Sequence, residues 1–358
     1  MNIARPTLRP GINRLGRSRG RRLSGVVGAM TIVLLAACQG SATSPDPGGA
    51  TSPTALPTAT SGTDTASSPP SAEVISVVAT TTVLADLVAN VGGDRVEISS
   101  LVPPGGEVHT FDPTPSDAAR IAQADLIAMN GLGLDEWLGD LASEAGAGNV
   151  PVVELAEDLD GVDYREAEDD HEGEAEEHEG EEEEHGPADP HLWLNVSYAH
   201  MYVDRIAETL SEVDPHGATT YHANAATYRD QLDALESEIQ AQFDTVPEEN
   251  RRIVSFHEAF GYFAEAYGLE IVGTVVEAPG QDPSAGDVAA LIEAIRDEDV
   301  RAIFSEVQFS DDLVQTIAAE TEAEVVSDLY NDSLGDPPVD SYEGLMRWNV
   351  EQIVAALQ

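Results

Sequence analysis

Three histidines and one aspartate, His109, His191, His257 and Asp332, each stand in a short polar break after an apolar stretch, about 65 to 85 residues from the next. Three imidazoles and a carboxylate make a complete donor set for a tetrahedral zinc ion, because borderline-soft Zn²⁺ accepts nitrogen and oxygen and closes its shell with four ligands. The separation argues against a small finger or ribbon, whose ligands lie close in sequence, and requires a folded scaffold. Two neighbours keep alternatives open. Glu258 adjoins His257, and a one-residue slip there would give two imidazoles and two carboxylates. Asp328 precedes Asp332 in the same segment but falls inside an apolar strand run, whereas Asp332 follows it.

The chain that must position these residues alternates strand and helix signals. Residues 74–79 read as a buried strand, and Val83, Leu84, Leu87, Val88 and Val91 then recur at helical spacing. A strand run at 96–102 leads into Pro103-Pro104-Gly105-Gly106-Glu107-Val108-His109, which puts His109 on a loop beyond a strand end. Ser116 is the expected N-cap of a helix leading to the apolar run 126–129. Between His216 and Phe243 the residues Tyr221, Ala225, Tyr228, Leu232, Leu235, Ile239 and Phe243 are spaced by threes and fours without proline or interior glycine. That pattern predicts one amphipathic helix of about 40 Å, long enough to bridge two lobes. Strands follow at 252–256, 271–276, 300–304 and 324–329, with a helix opened by Ser284 and Asp287, another after Ser310, and a last one over 342–357. The repetition predicts an α/β fold of two lobes of mainly parallel sheet. His257 and Asp332 fall just past strands, where open parallel sheets bind ligands.

Seven arginines lie between Arg5 and Arg22, no acidic residue precedes Cys38, and an apolar run covers 26–37. This is the pattern of a secretory signal, too short for a comfortable membrane span. It ends Leu35-Ala36-Ala37-Cys38, which resembles a bacterial lipobox, so Cys38, the single cysteine, is the expected lipidation site. Arg21-Arg22 leaves the choice between general secretory and twin-arginine export open. Residues 39–71 are almost entirely Ser, Thr, Pro, Ala and Gly, a tether with a mean reach near 30 Å. Beyond the leader, ten arginines and no lysine face 66 acidic residues, a formal charge near −56. Such a surface repels nucleic acid and attracts cations.

The chain resembles the zinc and manganese solute-binding lipoproteins of ABC importers. The resemblance rests on the Pro103–His109 segment above with Pro113-Thr114-Pro115-Ser116-Asp117, on Asp189-Pro190-His191-Leu192-Trp193-Leu194, on Ser255-Phe256-His257-Glu258-Ala259-Phe260-Gly261-Tyr262-Phe263, and on Leu329-Tyr330-Asn331-Asp332-Ser333-Leu334-Gly335. It covers residues 74–358 and implies two similar lobes joined by a rigid helix. The metal is then held in the cleft by His109 and His191 from the first lobe side and by His257 and Asp332 from the second. Manganese-type relatives commonly carry glutamate at the third position, so His257 implies the zinc type, with Mn²⁺ the alternative cargo. The implied protein is not an enzyme but an extracytoplasmic, membrane-anchored monomer that captures Zn²⁺ and delivers it to an ABC permease. Asn195 stands where the family usually has an acidic residue after the Trp-Leu pair.

Residues 166–189 carry fourteen acidic side chains, with His171, His178 and His185 at intervals of seven. No core can form there. Zinc-type relatives often have a His/acidic loop at this point, which implies a low-affinity accessory collector, while a merely solvated loop is the plainer reading. His200, His216 and His222 read as surface or structural histidines, Trp137 and Trp193 as core with Trp193 able to wall the cleft, and Glu306 as a support for a ligand. Rival functions are a surface adhesin on the same fold and a zinc hydrolase, for which Gly261 stands where a second histidine of His-Glu-x-x-His would be. The expected organisation is a signal with lipobox at 1–37, a lipidated tether at 38–73, a first lobe at 74–195, a helical linker at 196–250 and a second lobe at 251–358.

Overall fold

The computed structural model describes residues 74–166 and 188–358. The signal, Cys38, the tether, and His171, His178 and His185 lie outside the described residues. Within them, eight apolar runs become strands of two four-stranded parallel sheets.

The first sheet contains β1 (Ile75–Ala79), β2 (Val96–Ser100), β3 (Leu126–Met129) and β4 (Val152–Glu154), in the order β2-β1-β3-β4. The second contains β5 (Arg252–Ser255), β6 (Glu270–Thr274), β7 (Ala302–Glu306) and β8 (Glu324–Leu329), in the matching order β6-β5-β7-β8. Central strands β3 and β7 are buried at every residue, as expected of parallel strands covered on both faces. Both sheets reverse strand order beside their first strand, at β1/β3 and at β5/β7, and parallel sheets open a crevice at such points beyond the strand ends.

Helices α1 (Thr82–Gly92), α2 (Pro115–Ile121) and α3 (Trp137–Glu144) accompany the first sheet, and α6 (Gly261–Tyr267), α7 (Ala285–Asp297), α8 (Asp312–Thr321) and α9 (Tyr342–Leu357) the second. Between the sheets run α4 (Val196–Val213) and α5 (Ala218–Phe243). Caps set several starts. Thr81 accepts the Leu84 N–H on its side chain, and Ser284 and Asp287 form the expected capping box of α7. At α2 the expectation shifts: Thr114 is the N-cap and Ser116 lies inside the helix. Pro115 takes the first helical position, where no N–H is needed, and the Asp117 carboxylate accepts the Thr114 N–H at 2.7 Å.

The buried face of α5 consists of the seven residues picked out by the periodicity, from Tyr221 to Phe243. That face packs on α4 and α1 on one side and on α9 and α6 on the other, so the helix touches elements of both sheets. Around it a single apolar cluster extends from Ile75 and Leu87 through Leu235 and Phe263 to Met346 and Leu357. Each Val, Leu, Ile, Phe or Met side chain fully buried there contributes about 1.5–3 kcal/mol. A large, apolar, continuous junction of this kind holds the lobes together rather than letting them swing. No helix among the described residues is long and apolar enough to cross a membrane.

Candidate metal centre

All four sequence-expected side chains meet in one place. His109 lies on the loop after β2, His191 immediately before the 3₁₀ turn Leu192–Leu194, His257 directly after β5 and Asp332 after β8. The three imidazole centroids stand 5.4, 5.5 and 5.6 Å apart. One ligand nitrogen from each ring falls within 4.8 Å of the others. Asp332, fully buried, places Oδ1 3.8 Å from His191 Nε2 and Oδ2 3.9 Å from His109 Nε2. Two donors on a tetrahedral zinc at about 2.0–2.1 Å lie roughly 3.3 Å from each other, so these edges need contract by only about half an ångström.

Two of the three rings are aimed by a partner on the far side. Asp189 Oδ1 lies 2.8 Å from His191 Nδ1 and also accepts the His191 backbone N–H at 2.9 Å. Glu306, at the end of β7, puts Oε1 3.1 Å from His257 Nδ1. A carboxylate at Nδ1 favours the tautomer protonated there and leaves the Nε2 lone pair for a cation. His257 just past β5 and Glu306 at the end of β7 thus belong to the two strand ends that flank the order reversal of the second sheet. Asp189 is held in turn by Arg165, whose Nε is 3.8 Å from Oδ2. Gly261 is required at this contact: a Cβ there would lie 2.5 Å from Arg165 Nε and 2.9 Å from Asp189 Oδ2.

The loop carrying Asp332 follows a second-lobe strand but is pinned to the first lobe. Trp193 Nε1 donates to the Asn331 carbonyl at 3.0 Å, the Gly105 N–H to the Leu334 carbonyl at 3.0 Å, and the Leu334 N–H to Thr82 Oγ1 at 2.7 Å. Trp193 thus walls the centre, 5.3 Å from the His191 ring, and is buried. Gln308 donates to Asn331 Oδ1 at 2.7 Å, and the Asn331 amide stands 3.4 Å from His257 Nε2.

Electrostatics prepares the ligands unequally. Burial, and then the neighbouring His191 and His257, hold His109 down to about 2, so its lone pair is available at any ordinary pH. Burial also opposes charge on His257, but Glu306, Asp332 and Glu107 outweigh it and raise this imidazole to about 9. Desolvation raises Asp332 to about 7. His109 Nε2, His191 Nε2 and both Asp332 oxygens are buried and make no hydrogen bond among the described residues. Four convergent orphan donor atoms are costly in a folded interior and fit a cation that would satisfy them all.

The alternatives fall elsewhere. Asp328 lies inside β8, where its carbonyl accepts the Trp348 indole N–H at 2.7 Å, and neither Asp328 nor Glu258 belongs to a ligand group among the described residues. Asn195 caps α4, accepting the Ser197 N–H at 2.9 Å. His200 pairs with Asp233 at 3.4 Å, and His216 and His222 are exposed. Trp137 is half-buried against Phe111. Sequence reading gave Asp189 and Glu107 no role of their own. The available signal was a carboxylate two residues before a ligand histidine, in Asp189-Pro190-His191 and Glu107-Val108-His109 alike.

The family model described as ZnuA, zinc-uptake complex component A, periplasmic, matches residues 77–356. The chain belongs to this family. It is 31% identical over 287 residues to the manganese-binding lipoprotein MntA of Halalkalibacterium halodurans, covering 80% of this chain and 89% of the relative. Among solved structures it is similar to the periplasmic zinc binding protein TroA from Treponema pallidum, with a TM-score of 0.69, 27% identity and coverage of 79% and 99%. The Mn-bound periplasmic metal binding protein from Candidatus Liberibacter asiaticus gives a TM-score of 0.67 at 26% identity, covering 79% and 100%. The family supplies the metal-binding, substrate-carrying component of ABC transporters and not enzymes, so the hydrolase alternative falls away.

Proposed function

We propose that this chain captures Zn²⁺ through His109, His191, His257 and Asp332 and passes it to the permease of an ABC importer. The observation that carries the reading is the convergence of two buried imidazoles and a half-buried one on one buried carboxylate, two of the rings oriented by carboxylates behind them. Three nitrogen donors suit zinc better than manganese, which prefers a shell of oxygens, and at a shared N/O site zinc stands above manganese in intrinsic affinity. The manganese-binding relatives support a second reading, in which Mn²⁺ is the cargo. Residues 74–195 and 251–358 serve as the two lobes on either side of the cleft, with 196–250 as the rigid link.

The protein acts outside the cytoplasm as a monomer anchored through a lipid on Cys38, in line with the lipoprotein names of its relatives. Residues 166–189, with His171, His178 and His185, serve as a weak collector that feeds the centre. Metal analysis of the protein lacking residues 1–73 tests the reading: one zinc per chain should survive dialysis. A chain that keeps manganese and releases zinc in equimolar competition refutes the zinc assignment, and one that holds neither refutes metal capture. Alanine at His109, His191 or His257 should each cost at least 100-fold in zinc affinity, and Asp328→Ala should cost less than Asp332→Ala. Cys38→Ala should leave the membrane fraction or stall unprocessed; unchanged fractionation with normal lipid labelling refutes the anchor.

A further inference from the structure

One half-buried carboxylate beside the centre, Glu107, is not among the four expected ligands. Glu107 comes from the loop after β2, and its Oε1 accepts the His109 backbone N–H at 2.7 Å. Its Oε2 is buried and has no hydrogen-bond partner among the described residues. Among the described residues no arginine or histidine nitrogen forms an ion pair with it, and beyond the His109 amide the groups that act on its charge are the more distant His257, the Gln308 side chain and Glu306. One of its carboxylate oxygens lies within 4.8 Å of ligand atoms of both His109 and Asp332. A side chain whose work was only to hold the loop would need Oε1 alone. A second oxygen, desolvated and unpaired, on a carboxylate that lies beside two metal-site donors, is in the state a cation relieves.

We propose that Glu107 is a fifth ligand that sets how large an ion the centre accepts. The proposal rests on the reading of the centre as a metal site. With His109, His191, His257 and Asp332 the shell closes at four donors, the geometry of zinc. Engaging Glu107, together with the second oxygen of Asp332, raises the shell to five or six, and its two carboxylates balance the charge of a divalent ion. Larger shells with more oxygen suit manganese. Oε1 keeps the His109 amide while Oε2 turns to the ion, so the loop need not open. One donor set then serves two ions: four-coordinate zinc with Glu107 withdrawn, and a five- or six-coordinate ion with Glu107 engaged.

The test is Glu107→Gln in the full chain, purified in detergent and stripped of metal. The amide retains an acceptor for the His109 N–H and loses the anionic ligand. Zinc and manganese affinities are measured by chelator competition, and coordination number is read from the visible absorption of bound Co²⁺, intense in tetrahedral sites and weak in larger shells. Expected are a loss of at least tenfold in manganese affinity, a change below threefold for zinc, and stronger Co²⁺ absorption. Glu107→Asp, which keeps the charge and shortens the reach, should lose manganese affinity as well. Equal changes for the two metals, no change for either, or an unaltered Co²⁺ spectrum would overturn the proposal while leaving metal capture intact. Failure of the unsubstituted chain to bind either metal would overturn both.

Discussion

Glu306→Gln isolates the way this centre couples metal to protons. In the metal-free protein His257 is raised to about 9, against the pull of burial, chiefly by Glu306. Zinc needs this ring with a free lone pair, so binding must displace a proton. At pH 8 a group at about 9 is roughly 0.9 protonated and one at about 7, such as Asp332, roughly 0.1, so about one proton should leave per zinc bound. His109, held near 2, releases none. The sign follows: apparent affinity should rise about tenfold per pH unit as pH approaches 9 and level off above it. At pH 7 proton competition for His257 amounts to about two pKa units, or roughly 2.7 kcal/mol of zinc affinity.

Replacing the Glu306 carboxylate by an amide of the same shape removes most of the charge that keeps the proton on His257. The variant should therefore release close to none at pH 8 and lose its pH slope. The assay is titration calorimetry in phosphate, HEPES and Tris at pH 8, where the dependence of observed enthalpy on buffer ionisation enthalpy yields the proton count. The affinity change has two opposed parts, relief of proton competition and loss of the ring's support, so the proton count is the decisive reading. An unchanged count in Glu306→Gln would refute the assignment of the proton to this pair. A count near three in the unsubstituted protein would refute the unequal preparation of the histidines.

Three further outcomes are expected. His257→Glu, exchanging nitrogen for a harder oxygen donor, should lower zinc affinity more than manganese affinity, and competition titrations giving an unchanged ratio would remove this residue from selectivity. Asp189→Asn should cost about 10–100-fold in zinc affinity, because the amide orients His191 less strongly than the carboxylate at 2.8 Å, with little change in apo melting temperature. Deleting residues 166–184 should abolish weak additional zinc equivalents and leave one tight site, since His171 and His178 lie outside the four-residue centre formed by His109, His191, His257 and Asp332. Loss of the tight site would mean that the loop supplies a primary ligand, and an unchanged stoichiometry would make it a solvated loop.

The elements were largely legible where periodicity was strong. The buried stripe of α5 could be read residue by residue, because a helix crossing between two lobes must show them an unbroken apolar face at spacings of three and four. Strand β8 and helix α9 also begin and end where apolar runs do. Boundaries slipped where polar atoms decide. The start of α2 belongs to Thr114 rather than Ser116, because the Asp117 carboxylate reaches back to the Thr114 amide and Pro115 opens the helix. The shorter helix α4 was absorbed into a generic helical linker.

By itself the sequence offered the candidate donor types, their order and, for His109, His257 and Asp332, the strands they follow, since residue chemistry and βα periodicity are local properties. Only the tertiary structure decided which carboxylates serve which histidines. Asp189 and His191 are neighbours in the chain, but Glu306 reaches His257 because β7 lies beside β5, and Asp332 enters the centre because Trp193, Gly105 and Thr82 of the other lobe hold its loop. These are non-local contacts. They set the unequal protonation of His109 and His257, two chemically identical rings, through burial and neighbouring charge, which spacing along a chain does not encode.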